Sequence, residues 1–228
     1  MSMQEFFEST SGQVITALVL IVMFGGVLIS GKGKKSTTTT MVVSALLVAL
    51  SIVLNQLTLF QMPQGGSVSV LGMLPIVVCA YFFGTRRAVM CGMCVGLLDL
   101  ILKPYVVHPV QMLLDYPFAF GAIGFAGLIF MMKKEGFIPA YLVGVAGRFI
   151  LSSISGFIFF GMYAPEGMNP IIYSLTYQFT YLAPEAAITV VVLFIPAVRK
   201  AFARIKHDLD AQAAGRTIKA DTTAPSGK

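Results

Sequence analysis

Seven long apolar runs alternate with short polar connections along this chain. A helix needs about 20 mostly apolar residues to cross a bilayer. Runs close to that length lie at 13–30, 39–57, 68–83, 88–102, 110–132, 137–160 and 171–198. The third and fourth runs are short, and the last is long enough to tilt in the membrane. The pattern predicts an all-α integral membrane protein.

The basic residues between the runs predict the direction of the spans. They cluster after the first, third, fifth and seventh runs, whereas the alternate connections contain only Lys103. Basic loops stay on the cytoplasmic side of a membrane. We therefore expect a multi-pass protein with its N-terminus outside and its C-terminus in the cytoplasm. The clusters are Lys32, Lys34 and Lys35; Arg86 and Arg87; Lys133 and Lys134; and Arg199, Lys200, Arg204 and Lys206.

The composition agrees with lipid as the surrounding medium. Hydrophobic residues make up 57% of the 228 residues and charged residues only 11%, whereas soluble domains are about a quarter charged. The net charge of +6 does not indicate nucleic acid as a partner, because the basic residues lie in short clusters between the spans. Cys91 and Cys94 form a C-x-x-C pair without a second pair or a nearby histidine, so we interpret them as packing residues and expect no metal.

Two further motifs resemble catalytic sequences without completing them. Residues 26–32 match most of a phosphate-binding loop, but Gly33 stands where that loop needs a serine or threonine for magnesium. Ser153 and Ser155 lie in an apolar run, yet both histidines of the chain fall in a loop and in the tail, away from any role as a base. The sequence thus indicates no enzyme, and we expect no cofactor.

Four ionisable residues interrupt the apolar runs, namely Asp99, Asp115, Arg148 and Glu185. Charged groups in the hydrocarbon region are costly, which makes them candidates for function. Three acids against one base would give a shared cavity a charge of about −2, which a bound cation would relieve. In the alternative interpretation, Arg148 pairs with one acid and the other acids are protonated or reach an interface.

Polar and aromatic side chains share helix faces with these charges. Residues three or four apart lie on one face of a helix, and tyrosine rings stack on flat heterocycles and attract positive charge. We therefore predict an outward-opening pocket for a flat cation, covered by the outer loops. The faces consist of Arg148, Ser152, Ser155, Gly156 and Phe160 on the sixth run, and of Tyr173, Tyr177, Tyr181 and Glu185, with Gln178 beside them, on the seventh; Tyr116 directly follows Asp115.

Six short segments occur in order between the first run and the tail. They are 62–68 (MPQGGSV), 104–117 (PYVVHPVQMLLDYP), 147–149 (GRF), 155–160 (SGFIFF), 163–167 (YAPEG) and 173–175 (YSL). As an ordered set they resemble the thiamine-specific substrate-binding subunits, or S components, of bacterial energy-coupling-factor transporters.

The resemblance implies how the chain is divided. Members of that family have six helices, so residues 39–206 would form a six-helix S-component bundle in the bacterial cell membrane. Residues 1–38 would then be an additional N-terminal transmembrane helix with a basic cytoplasmic loop. Residues 207–228 are polar and rich in Ala, Thr and Lys, and we expect a disordered cytoplasmic tail there.

The resemblance also implies a transport mechanism shared between subunits. The family binds its vitamin at the outer face, associates with a membrane coupling protein that carries two ATPase subunits, and topples to release the vitamin inside. Ala45 and Ala49 match the family's Ala-x-x-x-Ala docking motif, and small residues four apart allow close helix contact. The alternative is a stand-alone, proton-coupled secondary transporter for a thiamine-like compound, in which the embedded acids carry protons.

The pocket implied by the resemblance falls on many of the residues found above. Asp115 matches the essential acid that meets the aminopyrimidine, Tyr116 matches its aromatic neighbour, and Tyr173 matches a pocket tyrosine on the last helix. The remaining matched pocket positions are Tyr105, Gln111, Arg148 and Gly156.

Three pocket positions depart from the family. Ser152 stands where a histidine is usual, Phe160 where a tryptophan can stack on the ligand, and Gln178 where an asparagine contacts it. A missing buried hydrogen-bond partner costs about 1–3 kcal/mol. We therefore expect the ligand to be thiamine or a related cationic or heterocyclic compound.

Overall fold

The computed structural model describes residues 9–30, 37–63, 65–132 and 136–223. A helix lies in each predicted span, and the all-α membrane fold is confirmed. The helices are α1 (Thr10–Ser30), α2 (Thr38–Gln56), α3 (Leu74–Phe83), α4 (Thr85–Leu102), α5 (Pro109–Leu113), α6 (Ala119–Ile123), α7 (Ala126–Met131), α8 (Phe137–Phe159), α9 (Pro170–Phe194) and α10 (Pro196–Thr223). A π-turn (Leu114–Phe118) joins α5 to α6, and a 3-10 turn (Gly161–Tyr163) follows α8.

Several of these helices have the length and apolarity of membrane spans. Within the described ranges, four segments meet both criteria, namely α2, the composite segment Pro109–Met131, α8 and α9. Helix α3 is shorter, with ten residues, and most of its side chains are buried inside the bundle. On α2, by contrast, large apolar side chains such as Leu46 and Val53 are more than half exposed. The bundle therefore presents an apolar exterior suited to lipid.

The third predicted span begins later than the sequence pattern suggests. Val68 lies in a two-stranded antiparallel hairpin of β1 (Thr58–Gln61) and β2 (Ser67–Ser69), and helix α3 starts only at Leu74. Pro75 in the first turn of α3 is well suited to a helix start. The apolar run continues through the hairpin because a strand buried on one side needs apolar residues as much as a helix does.

The span from Pro109 to Met131 is broken within the bundle. Pro117 lies inside the π-turn, where its missing backbone N–H leaves a gap in the helical hydrogen-bond ladder. A second turn follows at Gly124 and Phe125. Irregular backbone is tolerated at membrane depth only where protein encloses it. The π-turn is indeed largely buried.

Helix α4 packs directly against the backbone of this broken span. A Cβ atom on Gly92 would overlap the Phe120 carbonyl, and one on Gly96 would overlap the Tyr116 carbonyl. Small residues four apart permit such close contact between membrane helices. The two glycines therefore bring α4, with Asp99 almost one turn further along, against the π-turn.

The cysteines of the C-x-x-C pair face different surroundings. Cys91 is buried against Cys79 of α3, with the two sulfur atoms 3.3 Å apart. Cys94 is exposed on the same helix. The packing interpretation therefore holds for Cys91 but not for Cys94.

Helix α1 contacts the bundle through Phe24, whose side chain is buried. The ring lies against Phe118 and Phe125 of the broken span. The predicted basic connection after α1, with Lys32, Lys34 and Lys35, lies outside the described residues, as do Lys133 and Lys134.

The C-terminal segment is helical where the sequence analysis expects disorder. Helix α10 continues to Thr223, and residues 224–228 lie outside the described part of the chain. Residues 200–214 are rich in Ala, Lys and Arg, which favour helix even without burial. Near its start, α10 packs on the bundle through Phe202 against Phe137, and through Lys206, whose ammonium lies 4.1 Å from the centre of the Tyr81 ring.

We predict that Gly96→Ala lowers the free energy of unfolding by about 1–3 kcal/mol, the usual cost of extra atoms in a packed core. The added methyl group would meet the Tyr116 carbonyl. Thermal unfolding of the detergent-solubilised protein measures the change. Gly25→Ala is the matched control, because no atom lies within 4 Å of its Cβ position. Equal destabilisation by both substitutions would contradict the prediction.

Candidate functional site

One cavity of about 850 Å³, including its open mouth, lies at the end of the bundle where α4 ends. The hairpin, the broken span, α8 and α9 complete its wall. Ten side chains that the sequence analysis assigned to a pocket all line it: Tyr105, Gln111, Asp115, Tyr116, Arg148, Ser152, Gly156, Phe160, Tyr173 and Gln178. They come from four separate elements, so tertiary packing brings them together.

Asp115 lies on the π-turn and is oriented by Gln111. The Gln111 amide nitrogen Nε2 donates to Asp115 Oδ2 at 2.7 Å and to the Tyr105 carbonyl at 3.1 Å. Its Oε1 accepts from the Val107 amide at 3.1 Å. A single buried side chain thus fixes the carboxylate and the preceding loop relative to each other.

Tyr116, the next residue, ties the same loop to the π-turn. Its hydroxyl accepts from the Tyr105 amide at 2.8 Å and donates to the Lys103 carbonyl at 2.9 Å. In this wider turn, the neighbouring residues Asp115 and Tyr116 both reach the cavity.

Desolvation by the surrounding protein raises the pKa of the Tyr105 phenol above its ordinary value, so the Tyr105 hydroxyl stays neutral at physiological pH.

The guanidinium of Arg148 lies over an aromatic ring instead of pairing with an acid. Its central carbon is 4.0 Å from the centre of the Phe120 ring. Nε and Nη1 are buried and make no hydrogen bond within the described part of the chain. No carboxylate oxygen among the described residues lies within 4.0 Å of its nitrogens. The alternative in which Arg148 pairs with an embedded acid is therefore not what the structure has, although the residue lines the cavity.

Asp99 and Lys103 form a second charged part of the cavity wall. The Asn55 side chain donates to Asp99 Oδ1 at 2.9 Å. The Lys103 ammonium donates to the Asn55 carbonyl at 3.2 Å and to Thr58 Oγ1 at 3.0 Å. These contacts join the ends of α2 and α4 at the mouth of the cavity.

The charge balance of the cavity differs from the predicted value. Its wall contains two acids, Asp99 and Asp115, and two bases, Lys103 and Arg148. With all four ionised, the charges cancel. The expectation of a net negative cavity is wrong because Lys103 reaches the site from its loop and Glu185 lies elsewhere. A preference for cations must therefore arise from the placement of individual groups.

Glu185 lies outside the cavity lining, in the bundle core, and has a structural partner. Its carboxylate accepts from the Met73 amide at 3.2 Å, and the side chain is 1% exposed. From α2, Ser51 Oγ donates to the Gly72 carbonyl at 2.5 Å. Leu71 in the same turn has a φ of 61°, which a non-glycine residue rarely adopts. Glu185 and Ser51 thus anchor the turn that links the hairpin to α3.

Aromatic rings cover the other parts of the cavity wall. Tyr105 stacks on Phe160 with ring centres 5.9 Å apart and planes inclined by 28°. On α9, the rings of Tyr173, Tyr177 and Tyr181 follow one another at about one-turn spacing, with centres 6.2 and 5.9 Å apart. The predicted tyrosine face therefore exists and points into the cavity.

Helices α8 and α9 approach each other closely at Gly156. A Cβ atom there would overlap Ser174 Oγ, which donates to the Ser153 carbonyl at 2.7 Å. One turn further along α9, the Gln178 amide donates to the Ser152 carbonyl at 3.0 Å. Its Oε1 accepts from the Tyr181 hydroxyl. Gln178 thus joins the two helices and orients a cavity tyrosine.

The β1–β2 hairpin covers one side of the cavity. The Gly66 amide donates to the Tyr177 hydroxyl at 3.2 Å. Gly65 has a φ of 85°, a conformation that suits glycine, and a Cβ on it would lie 3.2 Å from Tyr105. The hairpin therefore rests on two tyrosines of the cavity wall.

The cavity wall contains more residues than the ten positions that the resemblance implies. Asp99 is one of the embedded charges, and Tyr177 and Tyr181 belong to the predicted tyrosine face, but none of the three is among those ten. Lys103 could have been noticed in the sequence because it is the only basic residue in the predicted outer connections. The remaining lining residues are Asn55, Gly65, Gly66, Ser67, Phe120 and Ser174, and all of them except Asn55 and Phe120 belong to a segment quoted above.

Comparison with known proteins relates the chain to transporters. A sequence model of the family described as Thiamine transporter protein (Thia_YuaJ) matches residues 41–204. The chain is 35% identical over 164 residues to Thiamine transporter ThiT of Bacillus subtilis (strain 168), which covers 65% of this chain and 85% of that protein. A protein of the same name from Lacticaseibacillus paracasei is 35% identical over 120 residues, covering 46% of this chain and 60% of that protein.

A solved structure shows the same architecture. It is described as ThiT from Listeria monocytogenes, and it aligns with a TM-score of 0.59 and 25% identity over 74% of this chain and 97% of that chain. The family match, 41–204, contains every residue of the cavity wall and begins after α1.

We predict that Tyr177→Phe loosens the hairpin, because it removes the hydroxyl that accepts from the Gly66 amide. A hydrogen bond contributes about 1 kcal/mol, so amide hydrogen exchange in 58–69 should become roughly fivefold faster. Exchange measured by mass spectrometry tests this. Tyr173→Phe is the matched control, since its hydroxyl makes no hydrogen bond to the hairpin among the described residues. Unchanged exchange in Tyr177→Phe would refute the role of the Tyr177–Gly66 hydrogen bond in holding the hairpin.

Proposed function

The chain belongs to the thiamine transporter protein family, and on that basis we propose that it captures thiamine, or a related cationic heterocycle, in the cavity described above. The family is one of transporters, not enzymes, and the chain is accordingly a multi-pass membrane protein.

The observation that carries this proposal is the convergence of the ten predicted pocket residues on one cavity. Their positions span 105–178 and four structural elements, and nothing in local sequence forces them together.

The chemistry of the wall suits the two halves of thiamine. An aminopyrimidine offers an amino group and ring nitrogens, for which the Asp115 carboxylate and the unpartnered Arg148 nitrogens are complementary. A thiazolium ring is flat and permanently positive, and the stacked Tyr105 and Phe160 rings provide an aromatic surface for it. The tyrosines of α9 extend this surface across the cavity.

The residues that depart from the family pattern are compatible with thiamine or a close relative as the ligand. Ser152 is smaller than a histidine, and its carbonyl is held by Gln178. Phe160 retains the stacking face of a tryptophan but has no N–H donor. These changes alter the shape of the pocket more than its polarity, so they would affect the choice among related heterocycles.

We further propose that the cavity opens outward, with the N-terminus outside and the C-terminus in the cytoplasm. Arg86 and Arg87 lie at the start of α4, and the cavity lies at the opposite end of that helix, beside Lys103. The basic start of α10, from Arg199 to Lys206, predicts the same cytoplasmic side. The hairpin would then cover the cavity from the outer face.

The energy for uptake would come from partner subunits. The chain has no complete nucleotide-binding motif, and Ala45 and Ala49 lie on an exposed face of α2, where larger apolar side chains are also exposed. We propose that a membrane coupling protein with two ATPase subunits docks on this face. The stand-alone, proton-coupled alternative predicts uptake by proteoliposomes that contain this protein without ATPases.

We predict that Asp115→Asn and Tyr173→Ala each weaken thiamine binding at least tenfold, or by about 1.4 kcal/mol, without unfolding the protein. Both side chains line the cavity, and a neutral amide attracts the cation less than a carboxylate does. Isothermal titration calorimetry of the purified protein measures affinity, and its thermal unfolding reports integrity.

The exposed Glu166→Gln serves as the control for Asp115→Asn. Mass spectrometry of small molecules that copurify with the wild-type protein identifies the ligand independently. Wild-type affinity in both cavity variants would remove the site assignment, and a protein that neither binds nor copurifies a thiamine-like compound would refute the proposed function.

Ala49→Trp should leave thiamine affinity unchanged and abolish ATP-dependent uptake, because a bulky side chain on a small-residue face prevents close helix contact. Uptake of labelled thiamine by cells and binding by the purified protein are measured in parallel. Ala146→Trp is the matched control, since Ala146 is exposed on α8, away from the proposed docking face. Normal uptake by Ala49→Trp would argue against docking on α2.

A further inference from the structure

Helix α1 lies outside the segment 41–204 that the chain shares with its family. The alignment with the solved structure covers 97% of that chain but only 74% of this chain. The contacts of α1 with the bundle therefore lie outside the segment that the family model matches.

Phe24 is the side chain through which α1 enters the bundle. It is 1% exposed, whereas Val22 and Ile29 on the same helix are 71% and 85% exposed. No atom lies within 4 Å of the Cβ positions of Gly25 and Gly26, so these small residues do not mediate close helix packing. Among the α1 side chains that the structure describes, Phe24 is the one large apolar side chain buried in the bundle.

The recess that receives Phe24 is formed by the broken span. The ring centre lies 4.8 Å from that of Phe118 and 5.6 Å from that of Phe125. Gly121 lies between them, and a Cβ on it would come within 2.9 Å of the Phe24 ring. The recess therefore exists because residue 121 is a glycine.

The π-turn Leu114–Phe118 lies between this recess and the cavity. Phe118 at its end contacts Phe24, while Asp115 and Tyr116 line the cavity. Pro117 leaves the turn without one backbone hydrogen bond. A turn weakened in this way depends on side-chain packing to keep its position.

We propose that Phe24 is a positioning residue for ligand binding, which holds the π-turn from behind so that Asp115 and Tyr116 keep their places in the cavity wall. This inference rests on the proposed function, because thiamine is the probe. Helix α1 is then part of the binding unit of this protein and more than a membrane anchor.

The test compares full-length Phe24→Ala, Phe24→Leu and Val22→Ala with the wild type. Affinity and dissociation rate for thiamine are measured together with amide hydrogen exchange in 111–119. We expect Phe24→Ala to weaken binding about tenfold, mainly through faster dissociation, and to speed exchange in 111–119 while peptides of α8 and α9 exchange as in the wild type. Phe24→Leu refills most of the recess and should recover most of the affinity, and Val22→Ala should behave as the wild type.

Gly121→Ala provides a second variant that acts from the other side of the contact. Its methyl group would displace the Phe24 ring, so it should reproduce the effects of Phe24→Ala even if that variant accumulates poorly. Wild-type affinity and dissociation rate in these variants would overturn the proposal. Faster exchange throughout α8 and α9 would also overturn it, because that indicates general destabilisation. If the wild type binds no thiamine, the proposed function fails, and exchange in 111–119 alone decides the role of Phe24.

Discussion

The enclosure of a broken helix within a lipid-spanning bundle is the constraint on which the rest of this structure depends. Lipid cannot satisfy free backbone groups, so the π-turn around Pro117 must be surrounded by protein. Gly92 and Gly96 allow α4 to pack against its carbonyl groups, and Phe24 fills the recess behind it. The same turn presents Asp115 and Tyr116 to the cavity. Wider helical turns are frequent at functional sites, because they place neighbouring residues where a regular helix would not.

The cavity is electrically balanced, and its selectivity has to come from where each charge lies. Lys103 is held at the mouth by two oxygen atoms of α2 and β1. Arg148 lies over Phe120 with unpartnered nitrogens. Asp115 is oriented by Gln111. Separated charges of both signs suit a ligand that has a hydrogen-bonding ring at one end and a cationic ring at the other better than they suit a simple cation.

The core beneath the cavity couples the hairpin to the helices that hold the pocket. Glu185 of α9 binds the Met73 amide and Ser51 of α2 binds the Gly72 carbonyl, while Tyr177 of α9 holds the hairpin itself. These bonds join the hairpin and the turn that follows it to α2 and α9.

The helix positions could be predicted from the sequence because lipid demands about 20 apolar residues per crossing. Helical spacing indicates which polar residues of one helix share a face, but the full set of ten pocket residues, Tyr105 and Gln111 among them, was implied by the resemblance to a known family. The tertiary structure decided what depends on distant contacts. Lys103 enters the cavity through bonds to residues 48 and 45 positions away, and Glu185 leaves it for an amide 112 positions away. The late start of α3, the recess for Phe24 and the charge balance likewise follow from packing, which no local pattern of hydrophobicity contains.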